Sequence, residues 1–416
     1  MKKTLFLFLL SLILVSCVKD ELLPLQIENL TSNYVNAGDE ISFIGGNIYK
    51  NVTASLNGEP ITIVLAEKNK LTLKIPENAT SGILKLSFVE PEVSEFEQYI
   101  KINDIGWEEI DILQYFSNIQ FVEENIAYAA VIVPDGESEI YKTVDGGISW
   151  TLIYETYRHI FSFKALNKDV VYTKGISNYN TSTNGGATWS EIKTPEFRFR
   201  YLPYSFVYFN TNEVLLLANK GGEGHVIKSI DGGKTWIEKN KFPSNTGEYR
   251  NAEYMRIVYE EGNTVCVFDL KYKKITKSFD KGETWTESQL NYNAGKPLQL
   301  VPLTFDFLDD QNIWFYDKEA NELYKSTDGG VSTTKVMLPD LSDVDEKIRK
   351  IKIVDANNIF MLTDHDGTLY TNDGGLNWKL YYHEHVPGYP SIFTVATFNR
   401  NVYLTKDGKM LKKKAF

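Results

Sequence analysis

The chain is 416 residues long, carries a formal net charge of −11 and draws 13% of its residues from Phe, Trp and Tyr. This acidic balance argues against a nucleic-acid partner, because that role needs a basic surface. The length exceeds what one compact core usually takes, so at least two domains are expected.

The first residues have the pattern of a secretory leader. A positively charged start precedes the apolar run 5–15, which is too short to span a bilayer as a helix. The run ends in Leu14-Val-Ser-Cys17, which resembles a lipobox. This resemblance implies that residues 1–16 are a signal peptide, that Cys17 becomes the lipidated N-terminus, and that residues 17–23 are a tether.

The segment directly after Cys17 indicates where the anchored protein faces. Val18-Lys-Asp-Glu21 resembles the surface-export signal of some outer-membrane lipoproteins. We therefore expect an outer-membrane anchor facing the cell exterior, in preference to an ordinary charged tether. The other cysteine, Cys266, lies in the strand pattern 264–268, where a buried apolar role is expected instead of a nucleophilic one.

Residues 24–103 predict a separate unit of short strands punctuated by turn residues. Strand patterns occur at 41–44, 53–56, 62–65, 71–75 and 83–88. The frame Gly38 to Gly45, followed by Leu56-Asn-Gly58 and Ile75-Pro76, resembles an IPT/TIG immunoglobulin-like domain. This resemblance implies an Ig-like β-sandwich that acts as a spacer, in preference to direct binding.

An eight-residue pattern, [ST]-x-[DN]-x-G-x-[STN]-W, occurs six times in the rest of the chain, although the fifth copy has Thr333 in the tryptophan position. Alternating residues flank each copy, which predicts a β-hairpin with the pattern in its turn. The acidic or amide positions are Asp145, Asn184, Asp231, Asp280, Asp328 and Asp373. We expect them to accept hydrogen bonds within the turn, in preference to binding calcium or acting as catalytic acids, because one role then explains all six copies.

The pattern resembles the Asp-box, or BNR motif, of sialidase-like, sortilin-like and photosystem II assembly-factor β-propellers. Its copies lie 39 to 49 residues apart, as expected for four-stranded blades. The last blade is one strand short, and the segment 106–112 resembles a fourth strand with no box before it. We therefore predict an all-β protein in which residues 105–416 form a seven-bladed propeller closed by an N-terminal strand.

The sequence gives little support to the hypothesis that the protein is an enzyme. Sialidases would need an arginine site early in the propeller, and the nearest match, Arg200 to Pro203, falls in the third blade. Glycosidases need two facing carboxylates, for which Asp309-Asp310 and Asp364-His-Asp366 are available, both beside turns. His383-Glu-His385 lacks a third metal ligand nearby in sequence. No metal and no cofactor are expected.

The loops that join successive blades are rich in tyrosine and arginine, and they open on the face opposite the boxes. Planar aromatic and guanidinium groups suit sugar rings or an extended peptide, although many of these rings are expected to pack between blades. The candidate ligand-binding residues are Tyr157, Arg158, Phe197, Arg198, Arg200, Tyr201, Tyr249, Arg250, Tyr382 and Tyr389.

Together these patterns predict a monomeric, lipid-anchored binding or scaffold protein at the cell surface. Its expected ligand is a glycan or an outer-membrane partner protein. Two alternatives stay open. One is a glycoside hydrolase of the sialidase-like or xyloglucanase-like propeller type, and the other is an assembly factor that docks an outer-membrane protein client.

Overall fold

The computed structural model describes residues 26–30, 34–46, 48, 51–89, 94–112, 114–132, 137–157, 160–175, 179–192, 200–220, 223–242, 255–269, 273–290, 303–318, 320–339, 341, 347–364, 367–382, 394–406 and 408–414. Every element assigned in these ranges is a β-strand, which confirms the all-β class. None of these ranges contains a helix long and apolar enough to cross a membrane. The chain divides into two compact units, Met1–Ile100 and Lys101–Phe416.

The first unit contains two antiparallel sheets, in strand orders β1-β3-β7-β6 and β2-β9-β8-β4-β5. The strands are β1 (Gln26–Leu30), β2 (Tyr34–Val35), β3 (Glu40–Gly46), β4 (Val52–Leu56), β5 (Glu59–Pro60), β6 (Thr62–Glu67), β7 (Lys70–Lys74), β8 (Gly82–Phe88) and β9 (Ser94–Ile102). Four of the five strand patterns expected from the sequence of this unit fall within β3, β4, β6 and β8, and the pattern 71–75 extends one residue beyond β7.

The two sheets of this unit bury alternate residues of their strands. Phe43 and Leu73 of the first sheet are fully buried, as are Leu84 and Leu86 of the second. The rings of Phe43 and Phe96 meet edge to face with their centroids 5.7 Å apart, which joins the two sheets. The sheets therefore share one apolar core, as two stacked layers require.

The described part of the second unit forms seven four-stranded antiparallel sheets. Its strands are β10 (Glu108–Asp111), β11 (Asn118–Phe121), β12 (Ala127–Ile132), β13 (Ser138–Thr143), β14 (Thr151–Thr156), β15 (Ile160–Ala165), β16 (Val171–Gly175), β17 (Tyr179–Ser182), β18 (Ser190–Glu191), β19 (Arg200–Tyr208), β20 (Val214–Lys220), β21 (Glu223–Ser229), β22 (Ile237–Phe242), β23 (Met255–Glu261), β24 (Thr264–Asp269), β25 (Lys274–Ser278), β26 (Thr286–Gln289), β27 (Leu303–Phe307), β28 (Ile313–Asp317), β29 (Glu322–Ser326), β30 (Thr334–Val336), β31 (Ile348–Ile353), β32 (Ile359–Thr363), β33 (Gly367–Thr371), β34 (Lys379–Tyr382), β35 (Thr394–Phe398), β36 (Asn401–Lys406) and β37 (Lys409–Lys414). Each run of four strands from β11 to β34 makes one sheet, and the seventh sheet has the order β10-β37-β36-β35.

The seventh sheet joins the two ends of this unit, as the sequence predicts. Strand β10 pairs antiparallel with β37, with Glu108 opposite Lys412 and Asp111 opposite Lys409. The backbone N–H of Ile112 also donates to the Gly408 carbonyl at 2.7 Å. Strand β10 thus supplies the outer strand that the C-terminal segment lacks, so a sheet edge that would otherwise be open is paired.

Consecutive sheets contact each other along the chain, and the seventh sheet contacts the first through β35 and β11. A shared apolar cluster fills this junction, with Met410 from the seventh sheet beside Phe116, and the ring of Trp150 packs on it. Gly147 has φ +100° and packs directly against Met410. A side chain at this position would not fit, because its Cβ would lie 2.2 Å from the methionine methyl carbon. The sheets therefore follow one another around a closed circuit, an arrangement consistent with a β-propeller.

Each repeated eight-residue pattern forms the turn between the third and fourth strands of its sheet. In the first copy, the Thr143 hydroxyl donates to Asp145 Oδ1 at 2.7 Å and accepts the Gly147 N–H at 2.9 Å. Asp145 also accepts from the N–H and hydroxyl of Ser149, and Trp150 Nε1 donates to the Gly147 carbonyl. In each of the other five copies, the backbone N–H four residues further on donates to the acidic or amide side chain in the same way. All six side chains therefore accept hydrogen bonds within their own turns.

These hydrogen bonds make the turns sensitive to acid. Bonds from Ser149 and Thr143 lower the pKa of Asp145 from 3.8 to about 2. Asn184 fills the same place in the second turn, where its Nδ2 donates to Thr188 Oγ1 at 2.9 Å. An amide is therefore compatible with the turn but carries no charge to strengthen it.

We expect Asp145→Asn to fold and to be less stable than the wild type at neutral pH. Because the folded pKa lies below the unfolded one, the advantage of the carboxylate is complete above pH 3.8 and is lost as the pH falls through about 2. Melting temperatures of both proteins between pH 5 and pH 2 test this expectation. Two curves that stay parallel over that range would show that the Asp145 charge contributes nothing.

Candidate functional site

A pocket of about 650 Å³ opens where the second, third and fourth sheets of the second unit meet. Its walls come from the last residues of β15, β19 and β23, which are the first strands of those sheets, and from the turns that follow them. Lys164 and Glu260 provide charge, while Val170, Val207 and Phe209 provide apolar surface. The volume lies within the range of small-molecule sites, and the lining combines polar with apolar groups.

One carboxylate holds two lysines at this site. Lys164 Nζ lies 3.7 Å from Glu260 Oε1, and Lys174 Nζ lies 3.5 Å from the same oxygen. Lys164 Nζ also donates to the Glu260 carbonyl at 3.4 Å. These distances are longer than the 2.7–2.9 Å of strong charged hydrogen bonds. Burial, reinforced by the charge of Lys164, lowers the pKa of Lys174.

Two further polar atoms belong to the same wall. The Tyr208 hydroxyl is buried, and the Tyr208 ring stacks on the ring of Tyr172 with 3.6 Å between the two centroids. Burial raises the pKa of Tyr208 well above its ordinary value, and the charge of Glu260 adds to that effect. Within the described residues, neither Tyr208 Oη nor Glu260 Oε2 has a hydrogen-bond partner. The wall therefore retains polar capacity that its internal contacts do not use.

The pocket opens at the same end of the sheets as the box turns. In the second sheet, the box N–H of Gly185 donates to the carbonyl of Asp169, which lies in the turn after β15. Gly232 donates to Asn212 in the same way in the third sheet. The turns that line the pocket and the box turns are therefore neighbours, whereas the blade-to-blade connections leave from the opposite ends of the strands.

The ligand-binding residues expected from sequence lie at that opposite end or outside the described residues. Tyr157 follows β14 and is 83% exposed. Arg200 and Tyr201 were expected in a loop, but this is wrong, since they begin strand β19. The expectation that Tyr382 offers its ring to a ligand is also corrected. Tyr382 is fully buried at the end of β34, beneath the ammonium of Lys101. Residues that lie outside the described part are Arg158, Phe197, Arg198, Tyr249, Arg250 and Tyr389.

The carboxylates considered for glycoside hydrolysis serve local structure. Asp309 accepts the N–H groups of Gln311 and Asn312 at 2.8 Å, which closes the turn before β28. Asp364 pairs with Lys318, with 3.0 Å between Nζ and Oδ2. Asp366 and the segment 383–385 lie outside the described residues, as does Cys17.

Cys266 is fully buried in β24, as expected from the sequence. Burial raises the pKa of its thiol to about 12. A thiol that stays protonated and inaccessible is a poor nucleophile, so Cys266 packs as a small apolar side chain.

Sequence reasoning missed Lys164, Glu260 and Tyr208. One signal was available, because the second-last residue of the first strand is polar in several sheets, including Gln120, Asp306 and Lys352. Those three link neighbouring sheets. Gln120 donates to the Phe163 carbonyl, and Lys352 Nζ lies 3.2 Å from Asp306 Oδ2. In the third sheet that place holds Val207, which cannot form such a link, and the pocket lies there.

No protein-family model matches the chain, and no curated protein matches its sequence. Solved structures of similar fold exist. A structure of YCF48 bound to D1 peptide has a TM-score of 0.54 and 14% identity, covering 75% of this chain and 98% of its own. YCF48 from Cyanidioschyzon merolae has a TM-score of 0.55 and 15% identity, covering 74% and 98%. The chain thus shares the fold of an Asp-box-like propeller, as the repeated turns predict.

Proposed function

We propose that this chain is a lipid-anchored, surface-exposed binding protein whose seven-bladed propeller binds a glycan. In this proposal Cys17 carries the lipid, and an IPT/TIG-like immunoglobulin domain in residues 24–103 acts as a spacer. The observation that carries the binding role is the pocket formed by β15, β19 and β23, which combines charged, amide and apolar groups. Sugars need this combination, since they present hydroxyl groups and apolar ring faces together.

Binding is favoured over hydrolysis by the acids at the pocket. A glycosidase needs two carboxylates that face each other about 5–10 Å apart across the scissile bond. Glu260 and Glu261 are adjacent on one strand, so their side chains leave opposite faces of the sheet. Glu261 is turned toward Tyr259, whose hydroxyl donates to it at 2.9 Å. This pair does not form the facing arrangement of a hydrolase.

A second candidate is the docking of a protein client. It is motivated by the shared fold with YCF48, which has been solved with a bound D1 peptide. The tyrosine- and arginine-rich connections at the end opposite the boxes would serve this role. Among their residues that the structure describes, Tyr157 is exposed. Glycan and client binding therefore predict different ends of the propeller.

The test is a glycan array probed with the mature chain, carrying Cys17→Ser so that it stays unlipidated. We expect binding of at least one glycan class, and we expect Tyr157→Ala to leave it unchanged if the pocket holds the ligand. Loss of the glycan on Tyr157→Ala would move the site to the opposite end. If no glycan binds while crosslinking through Tyr157 in cells captures an outer-membrane protein, the client-docking function replaces ours.

A further inference from the structure

We propose that the first strands of the fifth, sixth and seventh sheets form an oxyanion site, in which the ammonium groups of Lys350 and Lys352 bind a carboxylate or phosphate group. The site is separate from the pocket between β15, β19 and β23, and it does not depend on the proposed glycan-binding function. It is carried by the placement of the two lysines, by the charges around them and by the unused donors of Lys350.

The two lysines lie on one face of β31 and contact the strands on either side of it. They are two residues apart in a regularly paired part of the strand, so their side chains leave the same face. Lys352 Nζ lies 3.2 Å from Asp306 Oδ2 on β27. Lys350 Nζ donates to Thr394 Oγ1 on β35 at 2.7 Å. The two side chains start roughly 7 Å apart, which the oxygens of one oxyanion can bridge through two charged hydrogen bonds of about 2.8 Å.

The charges around Lys350 are not balanced within the described residues. The charged groups that act on its ammonium are Lys352, Asp306 and Arg349, of which one is an acid. That acid, Asp306, is already paired with Lys352 and also accepts the Ile353 N–H at 2.6 Å. The two lysines on this face therefore share one carboxylate, and one further negative charge would balance them.

Other described acids of this region do not supply that charge. Asp364 pairs with Lys318, with 3.0 Å between Nζ and Oδ2, and Asp355 pairs with Arg400 at 3.3 Å, so each is offset by its own cation. Asp317, at the end of β28, is not among the charged groups that act on Lys350. The surplus of one positive charge on this face of β31 is therefore not cancelled nearby.

Lys350 is partly buried, and its contact with Thr394 offsets no charge. An ammonium has three donors, and the Thr394 hydroxyl accepts one of them. Burial lowers the pKa of Lys350 to about 8, and the charge of Lys352 adds to that effect. The surroundings thus disfavour the charged form. A bound oxyanion would supply both a further acceptor and the missing negative charge.

A purely structural role explains Lys352 better than Lys350. Lys352 links two sheets through a charged partner, whereas Lys350 links two sheets through a neutral one. An apolar side chain would fill the same place without the cost of burying an ammonium. The Lys352 side chain is 28% exposed, so an anion can approach this face of the strand from water.

The experiment compares melting temperatures of the mature Cys17→Ser chain in phosphate, acetate and chloride, at pH 7 and equal ionic strength. A ligand that binds the folded state raises the melting temperature, so we expect at least one oxyanion to do so relative to chloride. Stabilisation by phosphate assigns a phosphate group to the site, and stabilisation by acetate assigns a carboxylate. Titration calorimetry then measures the affinity for the stabilising ion, which Lys350→Met should weaken at least tenfold. Lys350→Arg keeps the charge and should retain binding.

Lys274→Met is the matched control. Lys274 is also largely buried, with a side chain 13% exposed, but it has a carboxylate of its own in Glu287. This variant should bind the anion as the unaltered chain does. Melting curves in chloride establish that each variant is folded. A chain that neither oxyanion stabilises over chloride would overturn the proposal without any variant, and so would unchanged affinity in folded Lys350→Met.

Discussion

Deletion of residues 405–416 is expected to unfold the second unit at temperatures where the intact chain is folded. The deletion removes β37, which pairs with both β10 and β36 and buries Met410 and Leu411. It also removes the Thr405 hydroxyl that donates to the Phe116 carbonyl at 2.9 Å. Two sheet edges open, and the cluster between the seventh and first sheets loses its centre. The loss should approach the whole free energy of folding, which is about 5–15 kcal/mol for a typical domain.

Tryptophan fluorescence during guanidinium unfolding measures this effect, because all seven tryptophans lie in the second unit. Lys412→Ala is the control. Its ion pair with Glu108 has 3.8 Å between the charged atoms and is open to solvent, so its removal should change stability by less than about 0.5 kcal/mol. A deletion variant with the wild-type unfolding midpoint would show that the pairing of β10 with β37 does not hold the circuit closed.

Asp104→Ala should cost about 3–5 kcal/mol of unfolding free energy, the second-largest effect expected here. The Asp104 side chain is 2% exposed, and its Oδ1 lies 2.7 Å from Lys413 Nζ. Thr368 donates to its other oxygen at 3.1 Å. The ammonium of Lys413 also lies over the rings of Trp107 and Tyr370. Removing the carboxylate leaves that ammonium poorly compensated in a site with little water.

The same fluorescence assay tests this pair, with the double variant Asp104→Ala/Lys413→Met as its partner. If the ion pair causes the loss, the double variant should be less destabilised than the sum of the two single changes. Additive losses would mean that the two residues act independently. Lys409→Ala serves as the exposed control, since its pair with Glu109 is open to solvent and should be worth little.

Much of the fold could be predicted from sequence because its determinants are local. The turn from Thr143 to Trp150 closes through bonds between residues at most four apart, so the residue pattern alone specifies it. The spacing of the turns then indicates sheets of four strands. The segment near Trp107 resembles a fourth strand that has no box before it, and the last sheet lacks one strand. These two features together predicted that β10 closes the circuit.

The candidate site could not be predicted in the same way. Lys164, Tyr208 and Glu260 are far apart in sequence and stand on first strands of three different sheets, so no local pattern relates them. Tyr382 shows the converse error, since a tyrosine at the end of a strand looks like a surface ring until packing buries it. The number of neighbours around a side chain is fixed only when the sheets assemble.

The sequence by itself determined the strand class, the turn chemistry and the period of the repeat, because these depend on hydrogen bonds and side-chain alternation within a few residues. Tertiary structure alone decided where a pocket opens. The inner strands of neighbouring sheets are joined by polar residues such as Gln120 and Asp306, whereas Val207 stands at the same place in the third sheet. This difference becomes apparent only in the folded protein, where Lys164 and Glu260 lie beside Val207. There Lys164 and Lys174 both approach the Glu260 carboxylate.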